Sequence, residues 1–346
     1  MSADLLRLVD EAAIRRLLYT YCRGVDRRDL ALVRSCYTSA ALDERGVYQG
    51  NVDGLMGYLS TRLPQFERTM HLLANVTADI GREVAHAETY AIAVHRLPEK
   101  ETRPEHDYIV GFRYVDDLVR GDRGWLIEHR RCVFEWAQTR EVQARLGYTG
   151  RTRRSPRLRR RSDLIDGSER VPNLDSDLKL VIAEAEIRRV LYTYCRGVDR
   201  RDYTLVRSCY EDGAIDDHGK YRGSVDGFIM FLRTELERFT RTMHFVGNVI
   251  VDVTGDTAWS EAYTIAFHRL TPDATNQESD YISGLRYLDR HTRREGKWRI
   301  AERRCIYEWS RVEPFDTESS FPEGFAMGQP FPNDVVYTMS AETIDS

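Results

Sequence analysis

Asp26 and His71 are residues whose types can move a proton, and the chain carries the pair twice, because Asp199 and His244 follow at a constant offset of 173 residues. A carboxylate that fixes one ring nitrogen of a histidine leaves the other nitrogen as a base, and an unperturbed imidazole pKa of about 6.5 suits that task near neutral pH. A phenol close by can donate to an oxygen on which charge develops. Tyr21 and Tyr194, in the repeated words Tyr21-Cys-Arg-Gly-Val-Asp26 and Tyr194-Cys-Arg-Gly-Val-Asp199, stand ready for that role. Base and acid together suit proton abstraction followed by elimination.

The repeat also filters the nine histidines. Only His71/His244 and His95/His268 are histidine in both copies, whereas His218, for example, faces Arg45. Each candidate has a plainer reading. Asp26 could be the first carboxylate of a capping arrangement in Asp26-Arg-Arg-Asp29, unless Asp29 serves as the cap. Tyr21 lies on the apolar face of a helix and could be an ordinary core aromatic, and a histidine on a strand is more often structural. A metal held by Asp26, His71 and His95 lacks compact ligand spacing. There is no glycine-rich phosphate loop before a helix, no Gly-x-Ser-x-Gly elbow and no evident activating partner for the repeated cysteines. No metal and no cofactor are expected.

The elements that must position these groups read clearly. Ile14, Leu17, Leu18, Tyr21 and Val25 fall at helical spacing with arginines opposite, which predicts an amphipathic helix whose end Gly24 loosens. A short second helix carries Leu32, Val33, Cys36 and Tyr37 on one face, with Asp29 as its cap, and a third follows Asp53 with Leu55, Tyr58, Leu59, Leu63 and Phe66 as its stripe. From Thr69 the pattern turns extended. Residues 70–80, 84–97, 107–119 and 125–136 are rich in β-branched and aromatic residues and are separated by turn signals. Helices followed by consecutive strands predict an α+β fold, with a curved antiparallel sheet wrapped round the helices.

The repeat runs without a gap from Ile14/Ile187 to Trp136/Trp309, far longer than a solenoid unit, so each copy is a complete domain in a chain of 346 residues. The expected division is a first domain at 1–140, a basic linker at 141–177, a second domain at 178–312 and a Phe/Pro-rich tail at 313–346. The linker contains the run from Arg151 to Arg161, with no aromatic residues interleaved to stack on bases. The tail is expected to pack across a domain surface or a pocket mouth. A net charge of −4 gives no case for a nucleic-acid or membrane partner, and no apolar run approaches a membrane span. With no leader pattern at the N-terminus and three cysteines in each copy, an odd number, the reading is a cytoplasmic protein with reduced thiols.

These residues resemble the SnoaL-like branch of the nuclear transport factor 2-like superfamily. The matching words are Tyr21-x4-Asp26-x2-Asp29, Thr-Met-His71, Gly111-Phe-Arg-Tyr114-Val-Asp116, and Gly124-Trp125 leading to Arg130-Arg131, each repeated in the second copy. The Asp/His pairing looks like that of scytalone dehydratase, bile-acid dehydratase and hexachlorocyclohexane dehydrochlorinase, which are cofactor-independent lyases. The resemblance implies His71 and His244 as bases, Asp26 and Asp199 as their orienting partners, and Tyr21 and Tyr194 as donors. It implies substrate contacts at His95, Tyr108 and Arg131, and at His268, Tyr281 and Arg304, with Arg120 and Arg130 competing for the arginine's role. The expected substrate is a hydrophobic cyclic or polyketide-like small molecule of secondary metabolism. A cyclase or isomerase would use the same base, and a non-catalytic scaffold would use the same fold. Relatives that dimerise through their sheets suggest that the fused pair forms an internal pseudo-dimer.

Overall fold

A computed structural model describes residues 3–122, 124–142, 174–271, 279–314 and 329–334. The basic run of the linker and most of the tail lie outside the described residues. The chain divides into two compact units, each made mainly of one copy.

In the first unit α1 (Ala3–Asp26) is longer than its apolar stripe predicts, and Ile14, Leu17, Leu18, Tyr21, Cys22 and Val25 are all buried. Gly24 does not loosen its end. The helix runs on to Asp26, and a Cβ at Gly24 would sit 2.8 Å from Val33 Cγ2 and 3.0 Å from Val33 N. The missing side chain lets α2 (Leu30–Arg34) pack directly on α1. The helix stops where Arg28 takes a left-handed φ of 54°, held by its guanidinium donating to Phe66 O at 2.6 Å. Asp29 then caps α2, accepting from Leu32 N at 3.0 Å.

Two short strands follow that the sequence pattern does not announce, β1 (Tyr37–Arg45) and β2 (Tyr48–Asn51). Asn51 caps α3 (Val52–Arg62) through its side chain, at 2.9 Å from Gly54 N. The long strands are β3 (Arg68–Ile80), β4 (Val84–Leu97), β5 (His106–Gly121) and β6 (Gly124–Glu141). They form one sheet in the order β2-β1-β6-β5-β4-β3. It is mixed rather than antiparallel throughout, because β1 lies parallel to β6.

The second unit repeats the plan with α4 (Leu174–Asp199), α5 (Tyr203–Ser208), β7 (Tyr210–Asp217), β8 (Arg222–Ser224), α6 (Val225–Leu236), β9 (Phe239–Thr254), β10 (Thr257–Leu270), β11 (Ser279–Arg294) and β12 (Lys297–Pro314), ordered β8-β7-β12-β11-β10-β9. In each unit the inward phase of the sheet meets the helices. In the first, Ala85, Ala87, Ala91 and Ala93 of β4 and Val110, Phe112 and Tyr114 of β5 share one apolar cluster with α1 and α3. The helix α1 packs against β3, the strand that carries His71. Among the described residues no helix is long and apolar enough to cross a membrane.

Candidate active site

Asp26 is the last residue of α1, and His71 lies on β3 opposite Ala93 of β4. His71 Nδ1 and Asp26 Oδ1 are 2.6 Å apart, and the His71 backbone N–H donates to Asp26 Oδ2 at 2.9 Å. Thr69 Oγ1 donates to Asp26 Oδ1 at 3.0 Å. Burial would raise the Asp26 carboxyl, but the charge and hydrogen bonds of His71 outweigh it and hold the group below the usual aspartate value. An ionised Asp26 can only accept, so the proton between the pair sits on Nδ1 of His71. The other ring nitrogen, Nε2, has no hydrogen-bond partner among the described residues and presents a lone pair. Because Asp29 takes the capping role, Asp26 is free to hold His71.

The second unit has the same geometry. His244 Nδ1 lies 2.7 Å from Asp199 Oδ1, and the His244 backbone donates to Asp199 Oδ2 at 2.9 Å. Burial again opposes ionisation of Asp199, and His244, with help from Thr242, lowers its pKa overall. Residues 329–334 of the tail contact the residue next to this aspartate. Arg200 Nη1 donates to Asp334 Oδ2 at 3.0 Å.

His95 stands edge-on to His71, ring centres 5.4 Å apart, and His268 stands 5.3 Å from His244 in the same way. Burial, reinforced by the charge of the neighbouring histidine, pushes His95 and His268 down to about 3. Both are neutral at physiological pH, and each has a buried Nδ1 without a partner among the described residues. They suit a hydrogen bond to a ligand better than proton transfer.

Around the first dyad runs an aromatic wall that extends beyond the candidates named from sequence. Phe66 packs on His95 at 4.7 Å, Phe112 lies 6.4 Å from His71, and Phe134 lies 5.9 Å from Phe112. Tyr108 is 6.2 Å from His95 and 39% exposed, and Phe134 is 55% exposed, so the wall opens outward at these two rings. Tyr281 lies 5.8 Å from His268 but is only 4% exposed.

Tyr21 joins the aromatic wall through Tyr114, whose ring lies 4.9 Å from Phe112. Its ring is edge-on to Tyr37 and Tyr114, and the Arg130 guanidinium lies 4.2 Å over it. The hydroxyl is buried without a partner among the described residues, and burial, partly offset by Arg45, raises it to about 12, so it remains a protonated phenol. Tyr194 occupies the same place under Arg303, but its hydroxyl meets His218 Nε2 at 3.3 Å.

The candidate arginines differ in burial and in partners. Arg131 faces away from the core, 50% exposed at its side chain and 3.1 Å from His129 Nδ1, and Arg304 lies 3.8 Å from Asp217. The inward residue is Arg130, fully buried and paired twice with Asp116 at 2.7 Å; Arg303 pairs with Asp289 likewise. Arg120 pairs with Asp10 at 2.7 Å. Strand alternation separates Arg130 from Arg131, but bulges in the β5–β6 pairing hide the phase from the sequence. Thr69 was also missed, although Thr69/Thr242 is kept in both copies two residues before the histidine. Among the described residues no three His, Cys, Asp or Glu side chains group to hold a metal ion, and none of the six cysteines is in a disulfide.

The model of the SnoaL-like domain matches residues 6–131 and again 180–304. Similar solved structures include a putative scytalone dehydratase from Novosphingobium aromaticivorans DSM 12444, 21% identical, covering 41% of this chain and 95% of that one with a TM-score of 0.37. A hexachlorocyclohexane dehydrochlorinase, LinA Type2, is 19% identical and covers 43% and 99%, with a TM-score of 0.37. The Kfla4162 protein from Kribbella flavida is 20% identical and covers 37% and 91%, with a TM-score of 0.33. No curated protein matches the chain.

Proposed function

The chain belongs to the SnoaL-like domain family, with two copies of the domain in tandem, and from that premise we propose that it is a cofactor-independent lyase, a dehydratase acting on a hydrophobic cyclic or polyketide-like small molecule. The observation that carries the reading is the oriented dyad: an ionised Asp26 fixes the proton on His71 Nδ1 and leaves Nε2 without a partner among the described residues. In the proposed reaction His71 Nε2 takes a proton from a carbon next to a carbonyl, and the Asp26 carboxylate stabilises the imidazolium that forms. Tyr21, a buried phenol raised to about 12, donates its proton to the departing hydroxyl, which leaves as water. His244, Asp199 and Tyr194 perform the same roles in the second copy. The aromatic wall of Phe66, His95, Phe112 and Phe134 supports an apolar, ring-bearing substrate.

The test is a panel of cyclic β-hydroxy ketones followed by the absorbance of the conjugated enone. Turnover that vanishes in His71→Ala combined with His244→Ala, in protein that still unfolds cooperatively, is the expected result. Full activity in that double variant would sink the reading. A product isomeric with its substrate would replace elimination by cyclisation or isomerisation, and saturable binding without turnover would point to a scaffold.

A further inference from the structure

The two copies keep the same buried polar frame with one exchange. In the first, Tyr37 donates to Asp43 Oδ2 at 2.7 Å, Arg45 pairs with Asp43, and the Arg45 guanidinium carbon lies 5.7 Å from the centre of the Tyr21 ring. In the second, Tyr210 donates to Asp216 Oδ2 at 2.7 Å, and His218 stands where Arg45 does. Its Nδ1 is hydrogen-bonded to Asp216 Oδ1, its Nε2 meets the Tyr194 hydroxyl at 3.3 Å, and its ring stacks on Phe228 with centres 4.5 Å apart. Among the described residues the Tyr21 hydroxyl has no such partner.

We propose that His218 is a positioning residue that gates the Tyr194 hydroxyl, so that the second site loses its proton donor as pH rises while the first, with a permanent cation at Arg45, does not. This rests on the donor role given to the two tyrosines. With His218 neutral, the Asp216 carboxylate keeps the proton on Nδ1, and Nε2 accepts the Tyr194 O–H. The hydroxyl's one proton then points at His218 rather than at a substrate. With His218 protonated, Nε2–H donates to the Tyr194 oxygen and the O–H is free. In the reaction His244 takes the carbon-bound proton, Tyr194 gives its own to the departing hydroxyl, and His218 returns one to the Tyr194 oxygen. His218 ends neutral and His244 protonated, and exchange with water resets both.

The groups facing His218 leave Asp216 as its ionic partner. Tyr194 comes from α4, Tyr210 from β7 and the uncharged Phe228 from α6. Tyr287 on β11 lies 6.1 Å from the ring, and Asp289 on that strand is taken up by Arg303 of β12. Cys305 on β12 is pushed up by burial and stays a thiol, and Lys220 in the following turn lies 3.8 Å from Glu235. The frame accepts an arginine at this station, as Arg45 demonstrates in the first copy.

The experiment uses the full chain with one site silenced, His71→Ala to isolate the second and His244→Ala to isolate the first, and follows kcat from about pH 5 to 9 on an accepted β-hydroxy ketone. The second site is expected to lose about tenfold per pH unit on an alkaline limb, and His218→Arg in that background to remove the limb. The first site is expected to lack it, and Arg45→His to introduce it. A limb that survives His218→Arg, or a second site without one, overturns the proposal. A nitrogen-15 titration of the His218 ring needs no substrate: Tyr194→Phe must shift it, and an unmoved titration overturns the proposal too. Should the wild type turn over none of the panel, the lyase reading fails on that result, and the titration still decides whether His218 and Tyr194 are coupled.

Discussion

Asp26→Asn, made together with Asp199→Asn, isolates what the carboxylate contributes to the dyad. The side chain keeps its shape, and the amide oxygen can still accept from the His71 backbone N–H, now 2.9 Å from Asp26 Oδ2. What changes is the group facing Nδ1, which lies 2.6 Å from a carboxylate oxygen in the native chain. A hydrogen bond to a charged acceptor contributes about 1.5–3 kcal/mol, which favours the Nδ1–H tautomer by roughly ten- to a hundredfold. Removing the charge forfeits that preference, and an amide N–H turned toward Nδ1 drives the proton to Nε2, where it blocks the base. Turnover on the β-hydroxy ketone panel should then fall by about two to four orders of magnitude, the usual worth of a positioned base. Nitrogen-15 shifts of the His71 ring report the tautomer directly and need no substrate. If Nε2 remains the unprotonated nitrogen in the amide variant, Asp26 is not what orients His71, and the reasoning fails whatever the activity does.

Three further outcomes follow from the geometry. Arg130→Met leaves Asp116 buried without its paired cation and should lose about 3–5 kcal/mol in urea denaturation, whereas Arg130→Met with Asp116→Leu should recover most of that. An equal loss in both would mean that Arg130 acts by packing over Tyr21 and Tyr114, 4.2 and 3.9 Å away, rather than by charge. His95 and His268 fold with pKa values near 3, below the unfolded value, so the unfolded chain takes up their protons first and stability falls as pH drops from about 6.5 toward about 3. Each should contribute a slope of about 1.4 kcal/mol per pH unit, and His95→Leu with His268→Leu should flatten the acid limb; an unchanged limb refutes the buried neutral state. Gly24→Ala should lower Tm despite alanine's helix preference of about 1 kcal/mol, because its Cβ would press on Val33 at 2.8 Å, and a raised Tm would show that α2 yields.

Much of the molecule was legible locally. The duplication, the apolar stripe of α1 and the four long strands of each unit follow from periodicity and turn residues within short windows. Retention across two copies picked His71 and His95 from the histidines without any alignment. The short strand β1 escaped because Thr38-Ser-Ala-Ala41 carries little β-branched signal, and its parallel pairing with β6 joins segments distant in the chain. Gly24 reads as a helix breaker, yet only the approach of Val33 explains it.

By itself, then, the sequence determined that there are two α+β domains, which faces of their helices are buried, and which residue types are held in duplicate, since each of these is written in local spacing or in the repeat. The tertiary structure alone decided that Asp26 closes on His71 across 45 residues while Asp29 takes the cap, that Arg130 rather than Arg131 turns inward, and that Tyr194 meets His218 while Tyr21 meets no partner among the described residues. Those outcomes depend on helix-on-sheet packing and on bulges that set strand phase, and both arise between segments rather than within them.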